Sequence, residues 1–270
     1  MKPLLVLTLA FALLPSAPPL SAQDGDRVVV PFSNPSGAKR LQCNLVDGSI
    51  IVKAHRGNDV IVESKGLDGG RKRRGSPPPG MRRLEPPGVG LQVDEQDNLI
   101  KIGALPSRSA EITITAPADT SLKLSTVNNG NITVEGVTGE MDISNLNGNI
   151  TIRDVGGAVV AHTLNGKLIA VLHSVTAGKP MSFSTLNGDV DVTLPPDVKA
   201  SLKMKSDNGD IFTDFEVTLK PSTSTPTGSR DSKGRYKLRS DRTTYATING
   251  GGPDFSFTTL NGNLYIRKGK

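Results

Sequence analysis

Residues 143–152 read Ile-Ser-Asn-Leu-Asn-Gly-Asn-Ile-Thr-Ile, and residues 183–192 read Phe-Ser-Thr-Leu-Asn-Gly-Asp-Val-Asp-Val. Each is an apolar/polar alternation, an Asn-Gly pair and a second alternation, and a period of two over short runs bounded by turn residues is the signature of strands. The phrase recurs around Asn129-Gly130, Asn147-Gly148, Asn165-Gly166, Asn187-Gly188, Asn208-Gly209 and Asn261-Gly262. Successive pairs are 18, 18, 22, 21 and 53 residues apart. A longer echo overlies the short one: residues 112–134 (ITITAPADTSLKLSTVNNGNITV) resemble residues 190–213 (VDVTLPPDVKASLKMKSDNGDIFT).

Two all-β architectures use this pattern. Asn-Gly between alternating runs is a strong hairpin signal, because both residues accept the positive φ of a type I′ turn, and repeated hairpins give an antiparallel meander or sandwich. A repeat of about 20 residues also matches one coil of a parallel β-solenoid, where each strand pairs with its counterpart a rung away. Local hairpins do not require the same Leu-Asn-Gly letters in every unit, whereas stacking of equivalent positions does. The fold expected is therefore a single-chain parallel β-solenoid, with the Asn-Gly sandwich or meander as the alternative. In the solenoid reading the asparagines and glycines are structural turns, Leu fills an interior column, and the small residues Ser144, Thr163, Thr185, Ser206 and Thr259 serve backbone groups at a tight corner.

The remainder of the chain fits around this core. Residues 1–22 have the pattern of a secretory signal: Lys2, an apolar run from Leu4 to Leu14, and a small residue, Ala22, before the expected cleavage. Residues 23–64 alternate as strands continuous with the solenoid (Val28/Val30, Leu41/Cys43/Leu45, Ile50/Val52, Val60/Val62), and residues 91–270 carry the repeat. Residues 65–90, rich in Gly, Pro and Arg, form a loop insertion, and a second loop is expected at 221–233. No stretch after residue 22 is long and apolar enough for a membrane-spanning helix. Cys43 is the single cysteine, so no intramolecular disulfide can form, and its alternating surroundings mark a buried thiol.

Formal charge is +6, and it is localised. Seven basic residues and one acid lie between Lys65 and Arg83, so the remainder of the exported chain is near neutral. Arg71, Lys72, Arg73, Arg74, Arg82 and Arg83 are the candidate contacts for an anionic envelope polymer or lipid surface. Nucleic acid is not expected, because no aromatic residues interleave with the cluster.

The units Ser125–Ile132, Ser184–Val190 and Thr258–Leu264, with the preceding step Ala116-Pro117-Ala118-Asp119-Thr120-Ser121-Leu122, resemble a bacterial family of domains of unknown function labelled "putative adhesin". The resemblance covers roughly residues 110–270. It implies an exported all-β repeat protein acting as a noncatalytic scaffold or binding module of the cell envelope, in the periplasm, at the outer surface or secreted. A protein or glycan ligand would bind on a β face. The family offers no catalytic residues to carry over.

Little in the sequence points to catalysis. His55, His162 and His173 share no metal-ligand spacing, and neither a phosphate loop nor a nucleophile elbow is present. No cofactor and no metal is expected; the nine-residue calcium repeat of some solenoids is missing. The enzymatic alternative is a β-helical polysaccharide-active enzyme. Asp189 and Asp210 follow equivalent Asn-Gly turns, Asp191 shares their parity, and carboxylates one rung (~5 Å) apart could raise one another's pKa.

Overall fold

The computed structural model describes residues 25–67, 90–104, 109–128, 130–221, 227–230, 236–239 and 243–270. The signal-like segment, most of the basic insertion with its six candidate residues, and Asn129 lie outside them. Every element among the described residues is a strand: β1 (Gly25–Pro31), β2 (Arg40–His55), β3 (Asp59–Gly66), β4 (Gln92–Gln96), β5 (Leu99–Gly103), β6 (Ala110–Pro117), β7 (Ser121–Asn128), β8 (Ile132–Glu135), β9 (Met141–Asn147), β10 (Ile150–Val155) and β11 (Val159–Asn165). There follow β12 (Leu168–Leu172), β13 (Met181–Asn187), β14 (Val190–Leu194), β15 (Ala200–Ser206), β16 (Ile211–Thr213), β17 (Val217–Lys220), β18 (Thr227–Arg230), β19 (Tyr236–Arg239), β20 (Thr244–Ile248), β21 (Asp254–Asn261) and β22 (Leu264–Lys268).

Asn-Gly does not close hairpins here. β9 and β10, on either side of Asn147-Gly148, lie in different sheets, and each pairs in parallel with its counterparts one coil away. Among the described residues, the corner asparagines Asn147, Asn165, Asn187, Asn208 and Asn261 do not take positive φ, as a type I′ turn would require. That turn chemistry occurs instead at Asp97 (φ 52°) and Asn98 (φ 59°), which join the antiparallel β4 and β5. The fold is thus a parallel β-solenoid. Each coil is a strand in one sheet, a tight corner, a strand in the facing sheet, and a return loop.

The coils do not stack in chain order. Through β7–β8, β9–β10, β11–β12 and β13–β14 each coil adds to the last. The next coil in space, however, is the C-terminal β21–β22, which pairs with β13–β14 on one side and β15–β16 on the other. The N-terminal end mirrors this. The two halves of β2 form a coil lying between β5–β6 and β7–β8. The chain therefore climbs two rungs between β6 and β7, and again between β14 and β15, and a terminal coil fills each gap. These are the two copies of the longer sequence echo. Eight coils at ~4.8 Å give a stack of roughly 40 Å, capped by the antiparallel β3, β1 and β4 at one end and by β20 and β17 at the other.

Alternation decides what lies inside. Ile50, Ile132, Ile150, Leu168, Val190 and Leu264 form one fully buried column. Cys43, Leu124, Ile143, Ala161, Phe183, Phe257 and Met204 form another on the facing sheet, with the Phe183 and Phe257 rings stacked at 5.5 Å. Burying one such large side chain contributes about 1.5–3 kcal/mol. The leucine of Leu-Asn-Gly is not among them: Leu146, Leu164 and Leu186 are exposed. One residue earlier in the strand is the inward position, held by Thr126, Asn145, Thr163, Thr185, Thr259 and Ser206. Asn145, and not Ser144, takes that place in its coil. The stretch expected as a loop at 221–233 contains a strand, β18, paired antiparallel with β19.

The corner is built by close backbone approach. A Cβ on Gly148 would lie 1.9 Å from the Gly130 carbonyl oxygen, one on Gly166 2.2 Å from that of Gly148, and one on Gly188 2.2 Å from that of Gly166. The inward hydroxyl or amide of the coil above donates to the same oxygen: Asn145 Nδ2 to Gly130 at 2.8 Å, Thr163 to Gly148 at 2.9 Å, Thr185 to Gly166 at 3.0 Å, Thr259 to Gly188 at 2.9 Å and Ser206 to Gly262 at 2.9 Å. A buried carbonyl without a donor costs free energy, so these residues hold the corner closed.

Substituting Gly166→Ala should destabilise the chain by about 2–4 kcal/mol in urea unfolding, while Gly103→Ala, where a Cβ meets nothing within 4 Å, should stay within ~0.5 kcal/mol. Thr185→Val, isosteric but unable to donate, should cost about 1–3 kcal/mol. Burial pushes the Cys43 thiol up to about 12. Its contribution to stability is therefore full below the unfolded thiol's pKa and is lost as pH rises through about 12. At pH 8 an alkylating reagent should label Cys43 only after denaturant is added; labelling of the native chain would refute its burial.

Candidate functional site

With the interior filled by apolar columns, chemistry available to a partner is on the outside, and it too is arranged in columns. Register places Leu164 beside Leu146, since Thr163 pairs with Asn145 and Asn165 with Asn147. The same logic extends the column to Val46, Val127, Leu186 and Leu260. All but Leu260 are exposed, between 36% and 48%, and Leu260 is half-buried. Asp207 ends the run beside Leu260.

Next to this apolar column runs an amide ladder. Asn165 Nδ2 donates to Asn147 Oδ1 at 2.8 Å, Asn187 to Asn165 at 2.7 Å, Asn261 to Asn187 at 2.6 Å and Asn208 to Asn261 at 2.8 Å. Asn165, Asn187 and Asn261 each spend one N–H and one lone pair on their ladder neighbours and keep capacity toward solvent. A third column follows the glycines. The Asn131, Asn149, Asp189 and Asn263 side-chain oxygens accept from the backbone N–H of the coil above, at Asn149, Lys167, Asn263 and Asp210 respectively, at 2.8–3.0 Å.

The carboxylates expected to stand one rung apart do not. Because β21–β22 is inserted between their coils, Asn263 separates Asp189 from Asp210. Asp189 instead lies 3.3 Å from Lys167 Nζ. Asp191 is bidentate to Arg267, at 2.7 and 3.1 Å. That hydrogen bond, and then the charge of Asp191, raise the Arg267 pKa. Both oxygens of Asp191 are thus committed to the guanidinium rather than left open to a substrate.

The same insertion creates a contact that sequence spacing hides. Phe212 and Tyr265, on adjacent coils, stack at 5.2 Å with Arg267 over the Tyr265 ring. His162 lies exposed between Ser144 and Ser184. His173 Nδ1 faces Asp154 at 3.3 Å and His55 Nε2 the Asp59 carbonyl at 2.8 Å. Among the described residues no group of three His, Cys, Asp or Glu is placed to hold a metal ion, and no helix is long and apolar enough to cross a membrane. The apolar column carried a usable signal: Met141, Ile143 and Asn145 alternate, which sets Leu146 on the opposite face.

No curated protein matches the chain. Among solved structures, a "putative cell adhesion protein" from Clostridium sporogenes is 12% identical, with 91% of this chain and 100% of the other covered at a TM-score of 0.44. A "putative adhesin" from Bacteroides fragilis is also 12% identical, with 90% and 96% covered at a TM-score of 0.33. The profile of the Toastrack DUF4097 domain matches residues 104–243. By that match, which spans half of its length, the chain belongs to the Toastrack DUF4097 family.

Proposed function

We propose that this protein is an exported, noncatalytic binding module of the cell envelope, and that it meets a protein or glycan ligand along the Asn-Gly corner. The observation that carries this reading is the exterior column Val46, Val127, Leu146, Leu164, Leu186 and Leu260. Apolar side chains face outward in six coils while every inward position at the same corner is filled, which leaves a continuous, partly exposed apolar strip in water. Strips of this kind mark contact surfaces. The flanking asparagines add a row of amide donors and acceptors, so the strip suits a partner with one apolar and one hydrogen-bonding edge. Export rests on the signal-like residues 1–22, and a second, electrostatic contact with anionic envelope material rests on Arg71 to Arg74, Arg82 and Arg83.

Because Leu146, Leu164 and Leu186 are exposed, replacing all three by Thr, which is polar, uncharged and suited to strands, should leave thermal unfolding within a few degrees of the parent. Retention on isolated envelope fragments in moderate salt should fall by about tenfold or more, equivalent to ~1.4 kcal/mol. Undiminished retention of the folded triple variant would remove the corner from consideration. Changing Arg71, Lys72, Arg73 and Arg74 to Gln should reduce only the component of retention that salt also removes.

A further inference from the structure

The two places where the chain climbs two rungs follow the same plan, the second with two additional residues, Lys199 and Ala200, before the matching serine, so each can be read against the other. In the first, Thr120 N–H donates to the Pro117 carbonyl at 3.1 Å, and Ser121 N–H to the Lys39 carbonyl of the inserted N-terminal coil at 2.9 Å. In the second, Val198 N–H donates to the Pro195 carbonyl at 3.2 Å, and Ser201 N–H to the Pro253 carbonyl of the inserted C-terminal coil at 3.0 Å. Asp119 and Asp197 therefore hold the same place, two residues after the proline, and Lys39 and Pro253 hold the same place opposite.

What differs is the charge. Lys39 is almost wholly buried, its side chain 7% exposed, and its Nζ lies 2.7 Å from Asp119 Oδ2. In the C-terminal copy proline stands where the lysine would be, and Asp197 has no ion pair or hydrogen bond among the described residues. A cavity of about 460 Å³ opens there, with Val175, Pro195, Asp197, Val198, Lys199 and Pro253 in its wall. That volume is within the range of small-ligand sites, about 300–1,000 Å³.

We propose that this cavity binds a primary ammonium carried on an aliphatic stem, with Asp197 as its counter-ion. The N-terminal copy shows the arrangement already filled from within the chain: an alkyl stem enters the climb and its ammonium closes on the aspartate. The C-terminal copy keeps the aspartate in a wall that mixes Val175, Val198 and Pro253 with His173, Ser174 and Thr176, and leaves the ammonium to be supplied from outside. Lys199 sets a second preference, for a ligand whose far end is neutral or anionic rather than a dication. Two sources share this chemistry, a free amino acid-like zwitterion and a lysine side chain on a polymer. The site is on the return-loop side of the stack, away from the Asn-Gly corner, and stands independently of the corner reading.

Titration of the full chain, followed by backbone amide resonances of the cavity wall, tests this with three probes. One is 6-aminohexanoate, for a free zwitterion; another is Nα-acetyl-lysine methylamide, for a side chain on a polymer. Hexanoate carries the same stem without the ammonium. At least one of the first two should shift the cavity resonances, hexanoate should not, and which one binds identifies the source. Asp197→Asn, a change at an exposed position, should weaken binding several-fold, the weight of one solvent-screened charge-assisted hydrogen bond. No shift with either ammonium probe, equal binding of hexanoate, or unchanged affinity in Asp197→Asn would each overturn the proposal.

Discussion

The carbonyl oxygen of the corner glycine is the group on which the stack depends. It points at the coil above, so nothing larger than hydrogen can sit over it, and the contact distances of Gly148, Gly166, Gly188, Gly209 and Gly262 leave no room for a Cβ. It is also turned away from the regular ladder, so it needs a donor from a side chain. A threonine, serine or asparagine three residues before the next glycine supplies that donor. Glycine and hydroxyl thus form one device shared between two coils, and each coil both gives and receives it. That reciprocity explains why the letters repeat: a coil with a different corner would leave the carbonyl beneath it unsatisfied.

A device that is the same in every coil says nothing about order, and the protein uses this freedom at both ends. The C-terminal coil brings Asn261, Gly262 and Thr259 into a gap between coils that are consecutive in sequence, and its ladder and hydroxyl bonds there are indistinguishable from those elsewhere. β2 does the same near the other end, where Thr126 donates to the Gly48 carbonyl. Each terminal coil is hydrogen-bonded on two sides, so neither is a fraying edge strand. The antiparallel strands outside them then cover most of the open sheet edges, which would otherwise invite pairing with another chain.

This explains which parts of the fold could be read from sequence. Parallel stacking was legible because Asn, Gly and the inward hydroxyl recur together at the spacing of a coil. Spatial order was not, because Asn263 pairs as well with Asp189 as Asp210 would have, and only the doubled climb at Pro117 and Pro195 betrays a gap. The Asp189–Asp210 pairing and the hidden Phe212–Tyr265 stack are two sides of that one ambiguity. The interior placement of Leu erred differently. Recurrence shows that a residue sits over its equivalents but not on which face, and face is set by parity counted from Met141 and Ile143. The type I′ turn at Asp97-Asn98 went unseen because the more familiar Asn-Gly signal was taken up by corners.

Functional reading follows from the same geometry. A side chain on a solenoid is repeated at every coil, so a column shows what is generic and a departure from the column shows what is particular. Lys167 opposite Asp189, and Arg267 on Asp191, are departures that pair the acids of the outer face with cations. Exposed pairs of this kind contribute little to stability, typically under about 1 kcal/mol, and they leave those carboxylates committed. Asp197 departs in the opposite sense. Its counterpart Asp119 is committed to a buried lysine, whereas proline replaces that lysine beside Asp197 and a cavity replaces the alkyl stem. Within one chain, an acid is paired to a buried cation in one version of a motif and lacks that partner in the other, although the second version is two residues longer and carries Lys199 in the wall. That contrast makes the second climb, more than any cluster of acids on the open faces, the place where this scaffold is prepared to accept something it does not itself contain.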